Sequence, residues 1–320
     1  MTTKIIGTGS CAPENIVTND DLAKIVETND EWIRTRTGIR ERRVTVDQGT
    51  SDLAVTAAMR ALENAGVKPE ELDIIVMATS SSDCLFPSGA CDVQGAIGAV
   101  RATAFDISAA CTGFVFALNT VHSFLKAGIY KTGLVIGADV LSKMTDWSDR
   151  GTCILFGDGA GAAVVRAEET GLVHMVMGSD GTRGNVLACK SRSLGNFVNG
   201  VTPEPGYMTM DGQEVFKFAV KKVPECILQV LEESGTDIQD IKYFVLHQAN
   251  ARIFESVAKR LKMPIEKFPM NIDRYGNTSA ASVPIMLDEL NRAGKLERGD
   301  KLVFAGFGGG LTWGATLVEW

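Results

Sequence analysis

Three side chains far apart in the chain, Cys111, His247 and Asn277, have the types and local settings to combine a nucleophile with partners that handle protons and charge. Cys111 stands in "SAACTGF" (108–114), directly after the strand-like "ATAFDI" (102–107) and just before a helical pattern. At that position the helix macrodipole and free N–H groups favour thiolate, so a reactive cysteine is expected where a buried thiol would otherwise be inert filler. His247 closes the strand-like "YFVLHQAN", past the carboxyl edge of a sheet, where α/β proteins place ligands. Asn277 sits in the turn "YGNTSAASVP" beside Gly276.

An internal repeat supplies the elements that must bring them together. "ALENAGVKPEELDIIVMA" (61–78) and "VLEESGTDIQDIKYFVLH" (230–247) share a helix end, a glycine, a polar turn and a strand, with Leu62 and Leu231 standing 169 positions apart. The same spacing lays "GLVIGA" (133–138) over "LVFAGF" (302–307) and pairs Gly137 with Gly306. It also sets Asn277 opposite Ser108, so the Asn277 turn is the counterpart of the Cys111 turn. "GAAVV" (161–165) and "GATLV" (314–318) are offset by 153, which leaves 16 extra residues in the first half, between about 139 and 158, including Trp147 and Arg150. Helical patterns alternate with short apolar strands in both halves, which predicts α/β layers with buried sheets. Phe114, Leu118, Val121 and Leu125 form one helical face that Gly128 ends. The expected division is 1–168 and 169–320, packed through their central helices without a linker.

Bulk properties narrow the classes. The 320 residues are 45% apolar and 22% charged, with net charge −7, so no global attraction to nucleic acid or an anionic membrane is expected. No apolar run reaches the roughly 18 residues of a membrane span, and the amino-terminal segment lacks a secretory pattern; a cytoplasmic protein is expected. Seven scattered cysteines without a C-x-x-C pair, with only three histidines, disfavour a disulfide framework or a metal site. "GDGAGA" (157–162) fits neither a dinucleotide fingerprint nor a P-loop and is expected to be a strand turn.

"DISAACTGF", "HQAN", "YGNTSAAS" and "FGGGLTWG", with "NDEWIRTRTGIRERR" and "DRGTCILFGDGAGAAVV", resemble the β-ketoacyl-acyl carrier protein synthase III family of thiolase-like condensing enzymes, in order and over nearly the whole chain. The resemblance implies a five-layered αβαβα fold, a homodimer, and condensation of a short acyl-CoA with malonyl-acyl carrier protein, with CoA thioester as substrate and no resident cofactor. It implies that Cys111 carries the acyl group, that the N–H groups of Cys111 and Gly309 bind the oxyanion, and that His247 and Asn277 donate to an enolate oxygen. Asn277 occupies the position that is a second histidine in elongating synthases, and "GFGGGLTWG" lacks the second cysteine of degradative thiolases. Plant-type polyketide synthases share the three residue types in generally longer chains. A hydrolase using Cys111 with His247 as base and a non-catalytic scaffold are the readings outside this class.

Further positions follow from the same resemblance. Trp32, Arg36 and Arg150 would hold the adenine and phosphates of CoA, and Asn250 would line the pantetheine path. Arg40, Arg42 and Arg43 are expected on a solvated basic helix face. Arg252 would anchor the acidic carrier protein. Lys259 shares its helix face, opposite the buried Ile253, Val257 and Leu261, and Lys217 is a further basic candidate. Phe86 would close the acyl pocket from the partner subunit, which favours a short straight primer such as acetyl.

Overall fold

The computed structural model describes residues 1–191, 193–202, 204 and 206–320. Strand Ile74–Ala78 shows how the layers arise: Ile74, Val76 and Ala78 enter one apolar cluster, while Ile75 and Met77 enter another on the opposite face. Alternation therefore buries both faces, as a continuous apolar run in a parallel strand requires. This strand lies in a five-stranded sheet of order Thr2–Cys11, Gly159–Glu168, Thr132–Asp139, Ile74–Ala78, Thr103–Ile107. The last three strands run parallel to one another, and Gly159–Glu168 pairs antiparallel with both of its neighbours.

The second sheet has the order Leu172–Ser179, Thr312–Glu319, Lys301–Gly308, Ile241–Leu246, which repeats the first four strands. Its Ile241–Leu246 and Lys301–Gly308 pair is again parallel. Helices Gly113–Lys126 and Ser282–Arg292 pack between the sheets; Phe114, Leu118 and Val121 of one join Val283, Met286 and Leu287 of the other in a single core. Thr50–Ala65 and Gly89–Ile97 cover the outer face of the first sheet, Gly212–Ser234 and Ala251–Leu261 that of the second. Five layers, αβαβα, result.

The 169-residue spacing holds to the residue in several places. Strands Thr132–Asp139 and Lys301–Gly308, and the short turns Ala110–Thr112 and Ser279–Ala281 ahead of the central helices, are each related by it. It fails at the counterpart of Thr103–Ile107, where the second half forms the helix Ile272–Tyr275. Polar and turn-forming Asn271, Asp273 and Gly276 replace the alternating apolar pattern there. The extra segment of the first half, between Asp139 and Gly159, forms two short helical turns, Leu141–Met144 and Arg150–Cys153.

The expectation for Arg42 is overturned. It lies on the short strand Glu41–Arg43, fully buried, and donates to the carbonyls of Val17 and Ile154 and to Oδ1 of Asn19. Its neighbours follow strand alternation, Glu41 and Arg43 being half-exposed, so the basic run is not one helix face. Burial lowers the Arg42 guanidinium to about 10, still charged at neutral pH.

Candidate active site

The turn Ala110–Thr112 forces Ala110 to φ 47°, and its counterpart forces Ser279 to φ 51°. A non-glycine residue adopts this left-handed conformation only where its surroundings determine it. Around Cys111 they do: the Thr312 hydroxyl lies within hydrogen-bonding distance of the Ala109 and Gly309 carbonyls, at 3.2 and 3.1 Å, and 3.0 Å from the Thr112 hydroxyl, tying the turn to the glycine loop. Gly308 packs so closely that a Cβ there would lie 2.7 Å from the Cys111 nitrogen. This is the glycine that the approach to the cysteine demands. At Gly309 the Cβ would instead meet the Leu187 carbonyl, at 3.1 Å.

Cys111, His247 and Asn277, all nearly buried, line one cavity of 1150 Å³ with Gly308 and Phe307. Asn277 accepts the Ser279 N–H through Oδ1 at 2.9 Å, which turns its amide nitrogen into a free donor. Its backbone is held by Leu155 and Gly157, so the inserted segment and the Asn277 turn are one assembly. His247 directs Nδ1 to Ser282 Oγ at 2.7 Å and sets its ring edge-on to Phe307. Burial lowers the imidazole to about 3, so it is neutral at physiological pH.

The thiolate expected from helix position is corrected by burial. Desolvation pushes the Cys111 thiol up to about 12; a hydrogen bond with Ser279 opposes this and the Asp139 charge adds to it. Asp139 is a residue the sequence reading missed. It is fully buried and accepts from Thr79 and Ser81 hydroxyls and from the Ser80 and Ala280 N–H groups, joining the ends of two strands to the opposite turn. Only its place at the end of an apolar strand, "GLVIGAD", marks it in the sequence.

A second cavity, of 380 Å³, meets the first at Cys111, Phe156 and Leu187, and is lined by Leu141, Met144 and Met208. Gly309 lines this second space and not the first. The thiol thus stands between a large open cleft and a small, mostly apolar pocket.

The large cavity runs outward to exposed basic residues. Trp32 and Arg36 line it, and the guanidinium groups of Arg36 and Arg150 lie 4.5 and 4.9 Å from the Trp32 ring. Arg150 does not line the cavity itself; it stacks on Trp32 and donates to the Glu27 carbonyl, while Gly151 forms the wall. Asn250 lines the cavity, caps the helix Ala251–Leu261 and donates to the Arg36 carbonyl. Arg252 and Lys217 are exposed on its rim, Arg252 over Phe216 at 5.5 Å and Lys217 paired with Glu214 at 2.8 Å. Lys259 is exposed on the same helix as Arg252 but does not reach the cavity. Phe86 is 86% exposed and lines neither cavity of its own chain.

Comparison with known proteins agrees over the full length. The family model described as 3-oxoacyl-[acyl-carrier-protein] synthase III C terminal matches residues 231–320, and that described as 3-oxoacyl-[acyl-carrier-protein] synthase III matches 105–181. A β-ketoacyl-[acyl-carrier-protein] synthase III of Clostridium acetobutylicum is 53% identical, covering 99% of this chain and 98% of that one. The crystal structure of 3-oxoacyl-[acyl-carrier-protein] synthase III from Aquifex aeolicus is similar with a TM-score of 0.93 at 46% identity, covering 99% of this chain and 100% of that one. A priming β-ketosynthase of the R1128 polyketide pathway is similar at 35% identity and a TM-score of 0.93, covering 99% of this chain and 96% of that one.

Proposed function

The chain belongs to the β-ketoacyl-acyl carrier protein synthase III family, and we propose that Cys111, His247 and Asn277 carry out its two half-reactions in the cavity they share. It is an acyltransferase-type condensing enzyme that performs the initiating condensation of type II fatty acid synthesis, on acyl-CoA and malonyl-acyl carrier protein. One observation carries the assignment of residues: a continuous space leads from an exposed, basic, tryptophan-bearing rim to three buried side chains of complementary chemistry.

In the first half-reaction Cys111 Sγ attacks the thioester carbonyl, the C–S bond to CoA breaks and the proton given up by the Cys111 thiol is taken by the departing CoA sulfur, so that the acyl group sits in the 380 Å³ pocket. The Cys111 and Gly309 N–H groups bind the oxyanion in this reading. In the second, malonyl thioester loses carbon dioxide, His247 and the Asn277 amide stabilise the enolate, its carbon attacks the acyl-cysteine, and the C–S bond breaks to release Cys111 as thiolate, which regains its proton from solvent. Trp32 offers a flat face to the adenine, with Arg36 and Arg150 for the phosphates. Asn250 lines the path between, and Arg252, Lys217 and Lys259 receive the acidic carrier protein.

No resident cofactor enters this chemistry, and acetyl is the favoured primer. Exposed Leu85 and Phe86 support a homodimer in which Phe86 closes the partner's acyl pocket; a monomer by sedimentation would remove that role. Among the described residues no helix is long and apolar enough to cross a membrane, and a cytoplasmic setting is proposed with it. The division into 1–168, carrying the nucleophile, and 169–320, carrying His247 and Asn277, is supported by the constant spacing of their elements.

The test is intact-protein mass spectrometry after acetyl-CoA and then malonyl-acyl carrier protein. An acetyl adduct on the wild type, absent from Cys111→Ala and discharged as acetoacetyl-carrier protein, is the expected result. Discharge to water alone would favour a hydrolase, and no adduct with any acyl-CoA would overturn the residue assignment.

A further inference from the structure

The small pocket beside Cys111 has a soft lining. Leu141, Phe156 and Met208 form a minor apolar cluster with Met144 packed against it, apart from the larger clusters that hold the layers together. Met144 and Met208 are unbranched thioethers that change rotamer readily, so side-chain size alone sets a weak limit on what the pocket holds. A firm limit has to come from the backbone of the turn Leu141–Met144.

That backbone is held from two sides. On one, buried Asp158 accepts the Ser142 N–H at 2.9 Å and the Ser142 hydroxyl at 2.7 Å. On the other, Lys143 reaches the loop that follows strand Ile74–Ala78. Its ammonium donates to Asp83 Oδ1 at 2.8 Å, to the Thr50 hydroxyl at 3.1 Å and to the Ser82 carbonyl at 3.3 Å, one acceptor for each of its protons. Asp83 is itself fixed: Oδ1 accepts the Thr50 N–H at 2.9 Å and Oδ2 the Ser51 N–H at 2.8 Å, where the helix Thr50–Ala65 begins. Burial would raise its carboxyl, but Lys143 and these N–H groups outweigh that and lower it to about 2, so it is ionised at neutral pH. The pair is 35% exposed at Lys143 and 29% at Asp83, and water screens it less than an open surface pair. Ser80 of the same loop lines the pocket, and Phe86 stands three residues beyond Asp83.

We propose that Lys143 is a positioning residue for primer selection: by tying the pocket-wall turn to Asp83 it makes the wall resist a longer acyl chain, and so sets the upper length of the primer. The inference rests on the acyl-pocket role proposed above. Lys143 lines neither cavity, so it acts only through the turn that carries it. A short acyl group leaves the wall where it stands. A longer one must push the turn outward, and the cost of that displacement is the discrimination. Without the ammonium the turn keeps Asp158 but loses its tie to the loop, and the cost falls for the longer chain alone.

Rates of Cys111 acylation, followed by intact mass with acetyl-, butyryl-, hexanoyl- and octanoyl-CoA, test this. In Lys143→Met the rate with acetyl-CoA is expected to stay close to wild type, while the rate with the first homologue that the wild type rejects rises roughly 10-fold relative to acetyl-CoA, the scale of discrimination an apolar pocket supplies. Lys143→Arg, which keeps the charge and the donors, is expected to keep the wild-type ratio. A merely structural role would slow every acyl-CoA alike, so an unchanged ratio in Lys143→Met overturns the proposal, as does a wild type that takes all four primers equally. If Lys143→Met does not fold, Asp83→Asn, which removes the opposite charge, is read by the same ratio. No adduct on the wild type with any acyl-CoA would instead be a failure of the residue assignment above.

Discussion

At Cys111 two physical arguments compete, and only one can be made from the sequence. Position just before a helix favours thiolate, but the thiol is almost wholly withdrawn from water, with the buried Asp139 charge nearby. Burial wins, and Cys111, the proposed nucleophile, is a thiol at neutral pH in the free protein. The thiolate fraction of such a group grows about tenfold per pH unit below its pKa. Alkylation of the free protein by iodoacetamide, followed by mass, is therefore expected to accelerate about tenfold per unit from roughly pH 7 to pH 10 without levelling. A plateau starting below about pH 9, the unperturbed range of a thiol, would mean that the pocket stabilises thiolate after all. Cys111 and His247 are legible in the sequence because each follows or closes a strand-like run, and Asn277 because the 169-residue spacing sets its turn opposite that of Cys111. Asp139 and Ser282 are not, since their partners come from other strands and from the opposite turn.

Among the elements, the short strand Glu41–Arg43 and the segment from Asp139 to Gly159 carry the weakest periodicity in the sequence. Charged residues are rarely fully buried, so composition assigns Arg42 to the surface. Its fork joins Val17, Asn19 and Ile154, and thereby holds the inserted segment against the amino-terminal elements that carry Trp32. The sequence spacing located the insertion but carried no sign of this clamp. Lysine retains the charge and three N–H donors but gathers them on one nitrogen, without the planar fork whose two terminal nitrogens reach these separated acceptors. Arg42→Lys is expected to lower stability by about 2 kcal/mol or more, from buried acceptors left unpaired. Because Ile154 and Gly151 line the large cavity, it should also raise KM for acyl-CoA more than it lowers kcat. Urea unfolding and steady-state kinetics check the two parts, and unchanged stability would show that the three carbonyl and amide contacts contribute nothing net.

For the molecule as a whole, the pseudo-twofold relation explains where the site is. Each central helix is entered through a strained turn, and each turn presses on a glycine of the opposite half: Ala280 on Gly137, and Cys111 with Thr112 on Gly306. The repeated glycines were visible as a sequence spacing, yet what they accommodate was not, because the contact crosses between halves. The two contacts differ in tightness. A Cβ on Gly137 would stand 2.2 Å from the Ala280 carbonyl oxygen, whereas one on Gly306 would meet Thr112 Cα at 3.3 Å and the Cys111 carbonyl at 3.4 Å. The first is impossible without moving buried backbone; the second needs a shift of a few tenths of an ångström. Gly137→Ala is therefore expected to lose about 3 kcal/mol or more, or to fail to fold, and Gly306→Ala only about 1 kcal/mol. That small shift falls on the turn that carries Cys111, the proposed nucleophile, so Gly306→Ala should slow acyl-adduct formation out of proportion to its stability loss. Thermal unfolding paired with the rate of adduct formation separates the two effects. Equal destabilisation by both substitutions, or full acylation activity in Gly306→Ala, would show that the symmetry-related turns do not bear on the site in this way.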